Sequence, residues 1–177
     1  LGQTYPLYIN GQDITTSNTI DSVNPAQPRE VIGRICQASC QDVEDAVQAA
    51  NAALPLWRST PASERASPLI KCAALLRKDI YRFSAWQVLE EGKQWAQAYN
   101  DLAEAIDFLE YYAREIIHLA QPQDMGSYAT ESNHYFYEPK GIAAVISPWN
   151  FPLAIGIGMV SAAGVAGCPV VFKPANQ

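Results

Sequence analysis

The sequence predicts an α/β fold in which helices pack on parallel strands. Within residues 142–173, two apolar runs flank a proline-containing turn and a glycine-containing apolar stretch of helical length. That order is typical of a buried strand, a crossover helix and a second parallel strand. Short strand patterns at the start of the chain and helical apolar spacing over residues 41–119 complete the prediction.

The composition is that of one globular domain or most of one. The chain has 177 residues, of which 49% are hydrophobic and 17% are charged. A net charge of −6 without a basic run argues against a nucleic acid or an anionic membrane as partner. The chain starts at Leu1 and stops at Gln177 almost directly after a strand pattern, so we expect it to be a piece of a longer protein.

The cysteines and histidines do not predict a zinc site, because they show no CxxC pair and no ligand cluster. Scattered thiols indicate a reducing compartment, and no basic segment followed by an apolar one opens the chain, so we expect a cytoplasmic protein. Glycines interrupt the apolar run from Leu153, which favours packing on a sheet over a membrane span. The residues concerned are Cys36, Cys40, Cys72, Cys168, His118 and His134.

The first 36 residues predict short strands. Leu7–Ile9 leads into Asn10-Gly11, a pair that favours a tight hairpin turn. A second turn is predicted at residues 22–25, which end in an Asn-Pro pair. Residues 30–35 then have a strand pattern.

Four helices are predicted over residues 41–119. The first spans about residues 41–54, the second 62–81 and the third 84–91, and we expect Gly92 to end the third. The fourth spans Trp95–Leu119. Apolar stripes on the first, second and fourth predict core packing. The stripes are Val43, Ala46, Val47, Ala50; Leu69, Ala73, Leu76, Ile80; and Leu102, Ile106, Leu109, Ala113, Ile116.

A hairpin is predicted after Pro122, which ends the long helix. Residues 128–130 and 134–137 have strand patterns around a turn at Ser132-Asn133. The aromatic side chains of residues 135–137 alternate as in a half-exposed hairpin. Such a hairpin could pair with another subunit or simply lie on the surface, and the residues do not decide between the two.

Asn150 is the first candidate for chemistry. It lies in the turn between Pro148 and Pro152, and Pro152 suits the first turn of the following helix. An amide NH₂ can donate to a developing oxyanion without changing its own charge. The same residue could instead serve only to shape the turn.

Lys173 is the second candidate, because it ends the second apolar strand and ligands of α/β sheets bind where strands end. Its ammonium could bind ribose hydroxyls or a phosphate, or it could merely mark the exit of the strand to water. Gly156 and Gly158 lie inside the helix rather than at its start, so they do not predict a dinucleotide fingerprint. Cys168 has no histidine or lysine beside it in sequence, which favours a structural thiol.

The order of short motifs along nearly the whole chain resembles that of the aldehyde dehydrogenase superfamily. The most specific signal is PWNFP at Pro148, followed by VVFKPA at Val170. The segment AEAIDFLEYYARE, residues 103–115, looks most like the branch that oxidises glutamate γ-semialdehyde, the open form of pyrroline-5-carboxylate. Weaker motifs in the same order are YINGQ at Tyr8, NPA at Asn24, ER at Glu64 and EEGK at Glu90.

The resemblance implies the N-terminal part of an aldehyde dehydrogenase fold in three segments. Residues 1–120 would be strands and helices of the cofactor-binding domain, and residues 121–140 would be an oligomerisation hairpin. Residues 141–177 would be the first strand–helix–strand unit of a Rossmann-like sheet. The family's catalytic cysteine, general-base glutamate and later glycine-rich turn all lie beyond Gln177, so we expect this piece alone to be inactive.

The resemblance also implies site roles. Asn150 would donate to the oxyanion, Glu104 would face the amino group of the substrate, and Phe151 would pack on its aliphatic chain. Where the family usually has an acidic residue for the ribose hydroxyls this chain has Asn176, which leaves NAD and NADP both open. The implied cofactor-binding residues are Lys173, Ser147, Pro148 and Trp149.

The implied reaction of the parent protein is the NAD(P)-dependent oxidation of glutamate γ-semialdehyde to glutamate in proline catabolism. It would pass through a thiohemiacetal, hydride transfer and thioester hydrolysis. We expect a homo-oligomer, and a proline dehydrogenase domain could precede Leu1. The alternative is a truncated, non-catalytic homologue that acts only in assembly.

Overall fold

Five strands open the chain in the computed structural model, which describes residues 1–176. The predicted hairpin at Asn10-Gly11 is confirmed, since both residues have positive φ, 52° and 76°, between paired antiparallel strands. A separate three-stranded sheet has the order β1-β5-β4, with β1 parallel and β4 antiparallel to β5. The strands are β1 (Gln3–Tyr5), β2 (Leu7–Ile9), β3 (Gln12–Ile14), β4 (Thr19–Asn24) and β5 (Gln27–Cys36).

The turn between β4 and β5 lies later than predicted. It falls on Pro25-Ala26, and residues 22–24 belong to β4. The side chain of Asn24 accepts a hydrogen bond of 2.9 Å from the backbone N–H of Ala26, which stabilises a turn one step downstream. The predicted strand at residues 30–35 is confirmed as part of the longer β5.

Four helices follow, and three of their predicted boundaries were wrong by more than one residue. The first helix does not end near residue 54 but continues through Pro55, because the tertiary contact of Trp57 described below holds its last turn. The second helix ends at Lys78 rather than at residue 81, and the third begins at Ile80 rather than at residue 84. The break at Asp79 (φ −108°, ψ 25°) lets Ile80 and Phe83 reach the core. The helices are α1 (Cys40–Ser59), α2 (Ala62–Lys78), α3 (Ile80–Glu91) and α4 (Trp95–Leu119).

The main core lies between α2 and α4, as their apolar stripes predict. Side chains of the two helices bury one another, and Leu153 and Ile157 from the later part of the chain pack against them. The bounds of α4 are those expected from its spacing. Gly92 ends α3 in the left-handed conformation (φ 66°), which confirms the predicted stop. The buried members of this core are Ala73, Leu76, Leu102, Ile106 and Leu109.

The hairpin after α4 consists of β6 (Gln123–Tyr128) and β7 (Glu131–Tyr135), and all residues of both strands are exposed. The predicted turn at Ser132-Asn133 was wrong. Tyr128 pairs with Glu131, so the turn lies on Ala129-Thr130, and residues 132 and 133 belong to β7. A local pattern of polar residues could not distinguish these registers, because neither face of the hairpin is buried.

The last unit confirms the predicted strand, helix and parallel strand. It comprises β8 (Ala143–Ile146), α5 (Ala154–Val165) and β9 (Val170–Lys173), with β8 parallel to β9. The helical glycines allow close packing, since a Cβ would lie 3.1 Å from Phe172 at Gly156 and 3.1 Å from Phe108 at Gly158. Over residues 1–176, no helix combines the length and the apolar character needed to cross a membrane.

Candidate active site

The carboxyl ends of β8 and β9 bring the two main candidates to the same edge of the small sheet. Ile146 pairs directly with Lys173, and the backbone N–H of Ser147 donates to the carbonyl of Lys173 at 3.3 Å. The turn that carries Asn150 follows immediately and leads into α5. Asn150 and Lys173 are both exposed. Ligands of α/β sheets bind at this edge, so a bound ligand could contact both side chains.

Lys93, which the sequence analysis did not single out, holds this turn. It follows Gly92, and its side chain is only 12% exposed. Its Nζ donates a 3.1 Å hydrogen bond to the backbone carbonyl of Asn150. The same ammonium lies 4.6 Å from the centroid of the Phe151 ring, a cation–π distance. One side chain therefore contacts both residues of the turn that were predicted to meet the substrate.

Asp101 in α4 was also missed, and it caps the start of α5. Its carboxylate is fully buried and accepts hydrogen bonds from the backbone N–H groups of Leu153 (3.2 Å) and Ala154 (3.4 Å). Lys93 Nζ lies 3.9 Å from Asp101 Oδ1. The sequence offered one signal for this cap: Leu153, the residue that precedes α5, has no side chain that can cap a helix, so the free N–H groups there need a distant acceptor.

The other end of α5 is held by α1 and α2. Trp57 Nε1 donates to the carbonyl of Gly164 at 2.7 Å, and Arg65 Nε donates to the carbonyl of Val165 at 2.8 Å. Arg65 is buried, and this burial lowers the pKa of its guanidinium. A carboxylate at the start of α5 and a guanidinium at its end match the helix dipole. These contacts fix where α5, and hence the Asn150 turn, lies.

A cleft of about 870 Å³ adjoins the sheet edge. Pro148, Trp149 and Lys173 line it, together with residues of β4, β5 and α3. Ser147 differs from these three predicted cofactor residues, since it is buried and its Oγ lies 3.6 Å from where a Cβ on Gly156 would stand. Its hydroxyl therefore packs toward α5.

The cleft also contains a carboxyl group with altered acidity. Burial raises the pKa of Glu91 to about 7, against the opposing effect of the nearby Lys93 ammonium. Glu90, its neighbour in the cleft lining, accepts a 2.9 Å hydrogen bond from Ser22. Residues 1–176 contain no group of three histidine, cysteine, aspartate or glutamate side chains suited to hold a metal ion.

Glu104 lies on the stripe of α4 that faces α5. It is three residues after Asp101 and four before Phe108, and both of these contact α5. Its side chain is exposed, and no basic side chain within residues 1–176 forms an ion pair with it. The carboxylate is therefore free to pair with a cationic group from outside these residues.

Comparison with known proteins identifies relatives along the whole chain. The model of the aldehyde dehydrogenase family matches residues 13–177. The 1-pyrroline-5-carboxylate dehydrogenase 1 of Halalkalibacterium halodurans is 47% identical over 176 residues, which are 99% of this chain. The 1-pyrroline-5-carboxylate dehydrogenase 2 of Bacillus subtilis is 48% identical over the same share. The chain spans 34% of the length of each of these two relatives.

Solved structures show the same likeness. The 1-pyrroline-5-carboxylate dehydrogenase from Thermus with bound NAD superposes with a TM-score of 0.95 at 42% identity, over 98% of this chain and 34% of that one. Proline utilization A from Bdellovibrio bacteriovorus superposes with a TM-score of 0.97 at 44% identity, over 100% of this chain and 18% of that one. The described fold is therefore that of the corresponding part of these larger proteins.

Proposed function

The chain belongs to the aldehyde dehydrogenase family, and on that premise we propose that the protein carrying it oxidises glutamate γ-semialdehyde to glutamate. The observation that carries the proposal is the placement of Asn150 and Lys173 at one sheet edge, where Lys173 lines a cleft of about 870 Å³. Identity of 47% to a 1-pyrroline-5-carboxylate dehydrogenase across 99% of the chain supports this substrate.

Asn150 is the proposed oxyanion donor. When the aldehyde carbonyl is attacked, negative charge develops on its oxygen, and an exposed amide held at a strand end can donate to it. The carbonyl of Asn150 is already bonded to Lys93, so the residue cannot swing freely. The attacking thiolate comes from outside residues 1–177 in this proposal. Cys168 is buried between α5 and β9 and serves packing.

The residues at the cleft suit a nicotinamide dinucleotide. The Lys173 ammonium can donate to ribose hydroxyls, and Pro148 and Trp149 present apolar surface beside it. Ser147 would contribute through its backbone, because its hydroxyl faces α5. When bound, NAD or NADP accepts the hydride of the aldehyde. Asn176 is neutral and also lines the cleft, so it repels neither a 2′-hydroxyl nor a 2′-phosphate.

Substrate choice in this proposal depends on α4 and the turn. The exposed Glu104 carboxylate pairs with the substrate ammonium, and the Phe151 ring packs on its aliphatic carbons. The similarity to a proline utilization A protein supports a proline dehydrogenase, fused or separate, as the source of the substrate. Four free cysteines support a cytoplasmic location.

The proposal also assigns a role to each of the three segments of the chain. Residues 1–120 and 141–177 build the cofactor-binding side, and the hairpin of residues 121–140 mediates homo-oligomer formation. The exposure of every residue of β6 and β7 supports an arm whose edges are free to pair. Deletion of the hairpin tip should lower the oligomeric mass measured by light scattering, and an unchanged mass would refute this role.

Kinetics of the full-length protein test the function. With pyrroline-5-carboxylate, Asn150→Ala should lower kcat by about 10²–10³, while the exposed Asn51→Ala on α1 should not. Glu104→Gln should raise KM for glutamate γ-semialdehyde far more than KM for propionaldehyde, and Asp107→Asn on the same helix should change neither. Parental kcat in Asn150→Ala, or equal effects of Glu104→Gln on both aldehydes, would contradict the assigned roles.

A further inference from the structure

We propose that Lys93 and Asp101 are positioning residues for catalysis: together they set the distance and direction of the Asn150 amide and the Phe151 ring. This inference rests on the proposed function in one respect, namely that Asn150 donates to the oxyanion. Neither residue needs to touch the substrate. Their action would pass through the turn of residues 150–154, which they hold at both ends.

Lys93 holds the first end of this turn. Gly92, in the left-handed conformation, ends α3 and redirects the chain. Lys93 then extends toward the turn, and its side chain is only 12% exposed. Its Nζ is 3.1 Å from the carbonyl oxygen of Asn150 and 4.6 Å from the Phe151 centroid. A long flexible side chain loses rotamer freedom when it is buried, so these contacts must offset that loss. They restrain the backbone at the residue whose amide is proposed to act.

Asp101 holds the second end. Its carboxylate has 0% exposure and accepts from the N–H groups of Leu153, which precedes α5, and of Ala154, the first residue of α5. A buried carboxylate is stable only with hydrogen bonds or a counter-charge, and Lys93 at 3.9 Å supplies the charge. The pair therefore couples the carbonyl of Asn150, at one end of the turn, to the start of α5 at the other end.

Such a clamp matters more for catalysis than for folding. An oxyanion donor acts only when it lies about 2.7–3.1 Å from the developing charge, and a misplacement of about 1 Å can lower the rate about 10²-fold. The helical core between α2 and α4 does not include the clamp, so folding has other sources of stability. A purely structural role for Lys93 predicts lower stability without a specific loss that depends on the Asn150 amide.

A double-mutant cycle in the full-length protein tests the proposal. Lys93→Met keeps the apolar stem and removes the donor and the charge. It should lower kcat about 10- to 100-fold, with KM for the cofactor unchanged, and Lys93→Arg should recover most of the activity. In an Asn150→Ala background, Lys93→Met should lower kcat much less, because no amide remains to be positioned and only the contact with the Phe151 ring is lost. Lys71→Met, at an exposed lysine on α2, is the matched control.

Each outcome has a distinct meaning. Equal losses from Lys93→Met in both backgrounds, or parental kcat in Lys93→Met beside an impaired Asn150→Ala, would overturn the positioning role and leave the proposed function standing. Parental kcat in Asn150→Ala would overturn both. Lys93→Gln, which keeps a donor to Asn150 but loses the ion pair, should show an intermediate loss with the same dependence on Asn150, and it replaces Lys93→Met in the cycle if that variant does not fold.

Discussion

Helices α4 and α5 lie side by side, but different forces place them. The 25 residues of α4 carry an apolar stripe that includes Leu102, Ile106 and Leu109, and this stripe packs on α2. Acidic side chains such as Glu104 and Asp107 lie off this stripe and are exposed. The 12 residues of α5 are apolar or small all round, with glycines at the tightest contacts, and Leu153, which precedes it, has no capping side chain. Burial alone can orient α4, whereas it cannot choose one orientation of α5.

Polar contacts from distant segments fix the orientation of α5, which burial alone does not determine. Asp101 binds its first N–H groups across 52 and 53 residues of sequence, Arg65 binds its end across 100 residues, and Trp57 across 107. The amphipathic α4 is thus oriented by its own sequence, whereas the uniformly apolar α5 is oriented by polar contacts from its neighbours. The candidate oxyanion turn is attached to α5.

The largest loss of stability is expected from a substitution in the apolar stripe of α4. Leu102 has 0% exposure, so Leu102→Ala should lower the free energy of unfolding there by about 2–5 kcal/mol. Hydrogen exchange followed by mass spectrometry in the full-length protein should show faster exchange in both α2 and α4. Leu75→Ala, at a side chain that is 65% exposed on α2, should have little effect. Faster exchange confined to α5 would contradict the conclusion that the apolar stripe of α4 holds it against α2.

The second-largest loss of stability is expected when the Asp101 cap of α5 is weakened. Asp101→Asn keeps the shape but removes the charge and one acceptor, so it should destabilise the start of α5 by about 1.5–3 kcal/mol. Exchange should accelerate over residues 150–157 and remain near parental in the α2 core. Asp107→Asn is the control on an exposed carboxylate of the same helix. If the α2 core loosened as much as α5, the two helices would not be independently held.

The hydrogen bond from the Trp57 indole to the far end of α5 should contribute less to stability than the Asp101 cap does. Trp57→Phe keeps most of the apolar surface and removes the 2.7 Å hydrogen bond to Gly164, which should destabilise the end of α1 by about 1 kcal/mol. Exchange in the last turn of α1, which follows Pro55, reports this directly. Trp95→Phe, at a side chain that is 50% exposed, should leave exchange unchanged. An unaltered α1 in Trp57→Phe would show that the proline is tolerated for another reason.

The smallest effect should come from Glu91, beside the clamp. Its pKa is raised from 4.5 to about 7, so the unfolded state releases the proton first as pH rises. The free energy of unfolding should therefore fall between about pH 4.5 and about pH 7 and stay lower above that range. Because the side chain is half-buried, water screens part of this penalty.

Glu91→Gln should remove the dependence. Relative to the parent, its Tm should be higher at about pH 8 and similar at about pH 4. Scanning calorimetry at the two pH values measures this, with Glu64→Gln on the surface of α2 as the control. A larger gain at the lower pH would mean that the carboxylate, rather than the carboxylic acid, is the form that folding favours.

Local patterns were sufficient for much of the fold. The hairpin at Asn10-Gly11, the stop at Gly92, the bounds of α4 and the unit β8–α5–β9 all follow from backbone preference or from apolar periodicity. The same unit placed Asn150 and Lys173 at one edge, because parallel strands end on the same side of a sheet. Hairpin β6–β7 was misregistered, since two exposed faces impose no register.

The sequence by itself determined that four helices precede a parallel strand–helix–strand unit and which polar side chains reach the sheet edge, because these depend on neighbours a few residues apart. Only the tertiary structure decided that α1 passes Pro55, that α5 is capped by Asp101 and Arg65, and that Lys93 holds Asn150. Each of these depends on a hydrogen bond between distant segments. Such bonds form only after burial has brought the surfaces together. A local pattern can therefore show that a helix end lacks its own cap, but it cannot show which distant side chain supplies one.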